Sequence, residues 1–265
     1  MNQRTALITG ASAGIGEAFA EVFAAEGFDL VLTARREDRL RTVAARLEGR
    51  HGIRAHVIPA DLSDPGAPAQ LWREVEARGL AIDALVNNAG YGIPGGFIAS
   101  EWPRHASLLQ VMVVALADLT HRALPGMIAR GYGRIINVAS LAALVPAPAG
   151  HTLYAATKAF VVKFSESLAA EVRASGVHVT ALCPGFTRSE FHDVTGTRAQ
   201  VAHLPRWLWM DAPAVARCGF DAVSAGYPVC VTGRVNRAIT LLARMLPRPL
   251  LVALGRRTAH RYRKG

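Results

Sequence analysis

Short apolar, β-branched runs alternate along the chain with longer stretches in which apolar residues recur every three or four positions. The short runs are TALIT (5–9), DLVLT (29–33), AHVIP (55–59), DALVN (83–87), RIINV (134–138), VHVTAL (177–182) and PVCVT (228–232). Between them, EAFAEVFAAEG, REDRLRTVAARLEG and DPGAPAQLWREVEARG each carry a helical pattern and a Gly near the end. Strands that alternate with helices predict right-handed crossovers and hence a parallel sheet. Near-continuous apolar strands predict helices on both of its faces, so the expected fold class is α/β, with seven strands in a doubly wound sheet.

One segment breaks this rhythm. After the sixth strand, PGFTRSEFHDVTGTRAQVAHLPRWLWMDAP (184–213) is far longer than an ordinary strand-to-helix loop. In an open α/β sheet the loops at the carboxyl ends of the strands form the ligand crevice. Residues 186–212 are therefore expected to be a substrate lid, lined by Phe191, Leu204, Trp207, Trp209 and Met210. Trp207 and Trp209 equally fit pins that hold a loop to the core.

With 265 residues, 51% of them hydrophobic and 19% charged, the chain suits one large domain with a substantial core. Residues 1–233 are expected to form that domain and 234–265 a basic helical extension of it. The net charge of +10 is uneven: residues 222–265 hold nine Lys or Arg and no acid, against 21 basic and 20 acidic residues before them. The tail interleaves arginines with Leu, Ile, Val and Met, as an amphipathic surface helix does. It would lie either on an anionic membrane surface, as a peripheral contact, or against its own domain with its arginines in water. No basic–aromatic surface accompanies the charge, so no nucleic acid is expected.

Cys183, Cys218 and Cys230 fall in no CxxC spacing, so no metal site is expected and the thiols read as buried apolar residues in a reducing compartment. Neither a secretory signal nor an apolar run of roughly 20 residues is visible, and a cytoplasmic protein is expected.

TGASAGIG (9–16) follows the first strand and opens a helix. There Gly10 permits the tight turn, Gly14 lets backbone approach a pyrophosphate, and Gly16 lets helix press on sheet; the amides from Ser12 through Ala13 and Ile15 face the anion. At the end of the second strand, LTARRE offers Ala34, Arg35 and Arg36 where NAD-preferring folds place an acid. A guanidinium grips a 2′-phosphate through paired, charge-assisted hydrogen bonds, so NADP(H) is the expected cofactor, with Arg35 the principal contact and Arg36 the second. The alternative is two solvated arginines at a helix start.

Three further pieces appear in order: ADLSD (60–64), NNAG (87–90), and Ser140 followed by YAATK (154–158). Together with TGASAGIG and CPGFTRSEF (183–191), they make the whole chain resemble a short-chain dehydrogenase/reductase, in its NADP-linked branch. The resemblance implies a single Rossmann-fold domain with strand order 3-2-1-4-5-6-7, and a homodimer or homotetramer. It implies that Asp61 and Leu62 hold the adenine, that Asn87, Ala89 and Gly90 form the floor beside the ribose and phosphates, and that Thr187, after Pro184 and Gly185, receives the carboxamide. By the same resemblance Tyr154 is the acid/base, Ser140 donates to the substrate carbonyl, and Lys158 grips the nicotinamide ribose. Physically, an ammonium one helical turn from a phenol favours the phenolate.

Two positions depart from that pattern. Met112 in VMVVALADLT stands where the family usually has an Asn that helps hold a water near the lysine, and a thioether cannot donate. Ser140 precedes Tyr154 by 14 residues rather than the usual 13. The expected function is interconversion of a carbonyl and an alcohol on an apolar or bulky substrate. Met112 leaves open a rerouted proton relay, a catalytically weak NADP-binding regulator or scaffold, or a match displaced by one residue. The basic tail adds a reductase recruited to a membrane surface or an acyl carrier.

Overall fold

A computed structural model describes residues 3–146, 150, 152–190 and 204–246. The strands are β1 Thr5–Thr9, β2 Asp29–Thr33, β3 Ala55–Val57, β4 Ile82–Asn87, β5 Gly133–Val138, β6 Val177–Cys183, β7 Thr187–Arg188, β8 Met210–Asp211 and β9 Val229–Val231. The α-helices are α1 Gly14–Ala25, α2 Glu37–His51, α3 Ala67–Ala77, α4 Trp102–Leu109, α5 Ala115–Ala129, α6 Thr152–Val172, α7 Ala212–Ser224 and α8 Arg234–Met245.

Seven strands form one parallel sheet in the order β3-β2-β1-β4-β5-β6-β9. This is the expected doubly wound order, its seventh member being ninth along the chain because β7 and β8 pair in a separate two-stranded parallel sheet. Strand β3 stops at Val57 rather than reaching residue 59, where Pro59 has no N–H to donate to a ladder.

Alternation along the strands sends neighbouring residues to opposite layers. Ile8, Leu30, Leu32, Val86 and Ile136 meet Phe19, Phe23, Leu40 and Val215 of α1, α2 and α7. Leu7, Val31, Leu85, Ile135 and Val179 meet Leu71, Leu119, Met127 and Leu168 of α3, α5 and α6. Burial of each such large apolar side chain contributes about 1.5–3 kcal/mol.

Helices α4 and α5 run on through a π turn at Gln110–Val114. By length and composition the continuous run Trp102–Ala129 qualifies to cross a membrane, with a most apolar window of mean hydropathy 1.3, contrary to the sequence expectation. Its Leu108, Val111, Met112 and Leu119 belong to the core cluster built on Leu85 and Ile135, which accounts for the apolar character.

Candidate active site

The sheet order reverses between β1 and β4, the point at which an open α/β sheet places its ligand crevice. The glycine-rich turn fills one wall. Gly10 and Gly14 have φ of +66° and +61°, a region other residues avoid. A Cβ on Gly16 would lie 2.2 Å from the Gly10 carbonyl oxygen, so only glycine allows this approach of helix to turn. Ala13, at the N-cap of α1, provides no side-chain cap, which leaves the first-turn amides for an outside acceptor.

Behind the turn, Asn88 Nδ2 donates to the carbonyls of Thr9 (2.9 Å) and Gly10 (3.3 Å), while Thr9 Oγ1 accepts from the amides of Asn88 and Ala89. Asn88 is a brace that motif reading missed. The Asn87 carboxamide, by contrast, is buried and donates to Asn137 Oδ1 (2.9 Å) and Thr120 Oγ1 (3.0 Å), joining β4 to β5 and α5, which leaves its backbone for the nucleotide floor. Adjacent strand residues face opposite sides, and the motif does not say which Asn faces the crevice.

The two arginines after β2 differ. Arg36 donates to Ser12 Oγ (3.2 Å) and pairs with Glu190 (3.1 Å), which also pairs with Arg39 (2.5 Å). Arg39 first and Arg36 next hold the Glu190 carboxyl below the usual range. Arg35 is exposed and makes no hydrogen bond among the described residues. Burial acts to raise the Asp61 carboxyl, but hydrogen bonds from the Ser63 amide and hydroxyl and the charge of Arg35 hold it below the usual range. Beside it Leu62 is buried. A guanidinium with no hydrogen bond among the described residues, open helix amides and a turn that only glycine permits fit a dinucleotide carrying a 2′-phosphate.

At the carboxyl end of β5, Ser140 and Tyr154 hydrogen-bond through their side chains despite the 14-residue spacing. The Ala142 amide donates to Ser140 Oγ (3.2 Å), so the Ser140 hydroxyl proton is the one directed at the Tyr154 oxygen. Lys158 lies one turn along α6, buried, and donates from Nζ to the Val138 carbonyl (2.7 Å). Its Nζ is 5.8 Å from the Tyr154 ring centroid. Burial pushes the Tyr154 phenol above its ordinary range, with the Ser140 hydrogen bond opposing. The expected downward pull of the ammonium is therefore not what dominates here. Burial also lowers Lys158, to about 8, with the neighbouring Cys183 opposing only in part.

That shift has a testable sign. Between about 8 and the ordinary lysine value of 10.5, the folded chain sheds a proton that the unfolded chain retains, so this group's contribution to stability rises with pH. The unfolding free energy of the native chain relative to Lys158→Met is expected to increase from pH 7 to pH 10, by at most about 3 kcal/mol. Urea titrations of both proteins at the two pH values check this.

Met112 sits in the π turn, buried, and a Cβ built on Gly90 would meet its Cγ at 3.4 Å, its Sδ at 3.6 Å and Lys158 Nζ at 3.7 Å. The thioether and the ammonium thus share the Gly90 face, at a helix irregularity of the kind common at functional sites. Met112→Asn is expected to shift the pH dependence and solvent isotope effect of turnover while NADPH affinity stays within about twofold. Equal changes in both would refute a relay role for this position.

The Pro184 carbonyl accepts from the Leu141 amide (2.8 Å), placing Gly185 and Thr187 beside the Ser140 turn. Thr187 pairs with Met210 across β7 and β8, which joins the two described ends of the 186–212 segment. A Cβ on Gly14 would lie 3.0 Å from Ser189 Cβ, so this segment lies against the glycine turn. Trp209 packs on Phe186 (5.5 Å between centroids), Trp207 is exposed, and Leu204 is half-buried. Phe191 lies outside the described residues. Next to Tyr154 a cleft opens between Ile93, Phe97, Leu108, Thr152 and Leu153.

A doubly wound sheet with a glycine turn at its switch point and a Ser–Tyr–Lys cluster facing the same crevice defines a nucleotide-dependent oxidoreductase. Residues 4–199 match the short chain dehydrogenase family, and the chain belongs to it. It is 38% identical over 186 residues to the oxidoreductase UcpA of Escherichia coli (strain K12), covering 70% of each chain. A short-chain dehydrogenase from Sphingobium yanoikuyae, solved in complex with NADPH, superposes with a TM-score of 0.80 at 32% identity, over 92% of this chain and 96% of that one. The bulky-bulky ketone specific alcohol dehydrogenase from Comamonas testosteroni superposes with a TM-score of 0.76 at 29% identity, over 94% and 96%.

Proposed function

We propose that this oxidoreductase uses NADP(H) to interconvert a carbonyl and an alcohol on an apolar or bulky substrate, with Tyr154 as the acid/base. The observation that carries this is the Ser140–Tyr154 hydrogen bond beside buried Lys158, next to a small cleft lined by Ile93, Leu108 and Leu153 together with His105 and Thr152. Gly14, Ile15 and Gly16 would hold the pyrophosphate, Arg35 the 2′-phosphate, Asp61 and Leu62 the adenine, Ala89 and Gly90 the adjoining floor, and Thr187 the carboxamide. The bound nicotinamide supplies or accepts the hydride. Ser140, whose oxygen already accepts from Ala142, would turn its proton from Tyr154 to the substrate oxygen and polarise it. The raised phenol keeps Tyr154 protonated at neutral pH, which suits donation of that proton to the oxygen during reduction. Lys158 Nζ, held by Val138 and close to Gly90, would hold a ribose hydroxyl of the bound nucleotide.

The similarity to an NADPH-bound dehydrogenase and to one specific for bulky ketones supports both cofactor and substrate class. The test is purified protein with NADPH and NADH against ketones and aldehydes of graded size. Turnover with NADPH on apolar, bulky ketones is expected; stoichiometric NADPH binding with no turnover on any of them would instead favour a regulatory, catalytically silent protein.

A specific observation also favours membrane recruitment through the tail. Helix α8 buries its polar Asn236 and Thr240 while exposing Leu241, Leu242 and Met245. An exposed apolar face joined to a basic sequence suits an anionic bilayer surface. Binding to anionic vesicles that weakens with salt and is lost on removing residues 234–265 supports it; binding unchanged by that removal rejects it.

A further inference from the structure

Three thiols are free, and two of them share one place away from the active site. Cys183 is fully buried at the end of β6, its thiol pushed up to about 12 by burial, and is chemically quiet. Cys218 on α7 and Cys230 in edge strand β9 have their sulfurs 3.1 Å apart, about 1 Å beyond the length of a disulfide bond. Cys218 is partly exposed, whereas Cys230 is buried. Arg237, in the first turn of α8, donates from Nε to the Val231 carbonyl (3.0 Å), and its guanidinium also hydrogen-bonds the Cys218 sulfur. An accessible sulfur beside a fixed cation, with a second sulfur behind it, is the arrangement of an attacking and a resolving cysteine.

We propose that Cys218 and Cys230 form a hydroperoxide-responsive dithiol site, in which Cys218 attacks and Cys230 resolves. The acid–base balance of the pair runs the same way. The hydrogen bond from Cys230 draws Cys218 below the ordinary thiol range, with Arg237 assisting against burial, and Cys230 is pushed up by Cys218 and by burial. The negative charge is therefore favoured on the partly exposed Cys218 sulfur and the proton on the buried Cys230.

In the first step the Cys218 thiolate forms an S–O bond to the distal peroxide oxygen; the O–O bond breaks, and the departing alkoxide or hydroxide takes a proton from solvent. In the second, the Cys230 sulfur bonds to Cys218, the S–O bond breaks, and the hydroxide leaves with the Cys230 proton as water. Two electrons from the dithiol reduce one hydroperoxide to an alcohol, or to water when the oxidant is hydrogen peroxide. Since α7 follows β8 directly, the new bond ties the rear anchor of the substrate loop to β9.

The test uses the full-length protein, reduced, freed of reductant, and treated with a small excess of hydrogen peroxide. Free thiols counted after denaturation are expected to fall from three to one, with Cys218 and Cys230 in one cross-linked peptide and all three recovered on reduction. In Cys230→Ser the sulfenic acid on Cys218 persists and is captured by a dione probe about tenfold more than in the native chain. Arg237→Gln slows alkylation of Cys218 by iodoacetamide at pH 7 about tenfold. Three thiols surviving the peroxide, a cross-link that includes Cys183, or a cross-link between two chains would overturn the proposal.

Discussion

Tyr154→Phe is expected to lower NADPH-dependent ketone reduction by about 10²–10⁴-fold, the range a positioned general acid contributes. The ring remains, so packing against Leu153 and the cleft is kept and only the hydroxyl is lost. NADPH affinity should hold within about threefold, because the glycine turn and the arginine site lie elsewhere in the crevice. Ser140, freed of its Tyr154 partner, still accepts from Ala142 and can still polarise a carbonyl, which is why some turnover should survive. A variant that loses NADPH binding along with turnover would show that Tyr154 supports the site's structure rather than its chemistry. Fluorescence titration of the cofactor beside initial rates separates the two outcomes.

The second large effect concerns cofactor choice. Arg35→Ser should weaken NADPH binding by roughly 10–100-fold, as expected for losing charge-assisted hydrogen bonds of about 1.5–3 kcal/mol, and leave NADH binding almost unchanged. Arg36→Ser should do less, because its guanidinium is already shared between Ser12 and Glu190. Glu190 adds a further expectation. It stands against Arg36 and Arg39 as a carboxylate where a phosphate would compete, so Glu190→Gln should tighten NADPH binding modestly. Dissociation constants for both nucleotides on these three variants decide it; a native preference for NADH, or equal losses for both nucleotides in Arg35→Ser, would remove Arg35 from the role.

The sheet was readable in the sequence because parallel strands covered on both faces are short, nearly unbroken apolar runs, as TALIT and RIINV show. The glycine turn was readable because each glycine answers a steric demand, most sharply at Gly16. What escaped was set by contacts distant in sequence. Strands β7 and β8 are two residues each, too short for a periodic signal, and exist only because Thr187 meets Met210. Which asparagine of NNAG faces the crevice depends on the side to which β4 turns each residue, and Asn88 rather than Asn87 braces the turn.

Electrostatics was the least legible layer. Four residues along a helix put Lys158 near Tyr154, but how deeply both are buried is a property of the packed layers, and burial is the largest influence on each. The cysteines show the same limit. No local spacing announces Cys218 and Cys230 as a pair; the packing of α7 against the sheet edge brings their sulfurs together. Arg237, from the next helix, completes a charged environment that neither cysteine's neighbours in sequence contain.

The most direct measurement of chemistry in this crevice is isotope transfer. The protein is incubated with NADPH carrying deuterium on the transferable position of C4 and a bulky apolar ketone, and the product is analysed by mass spectrometry. Alcohol bearing one deuterium on its carbinol carbon, formed by the native chain and strongly reduced with Tyr154→Phe, is the expected result. Saturating NADPH binding with no labelled alcohol across the ketone series, or labelled alcohol formed equally well by Tyr154→Phe, would contradict it.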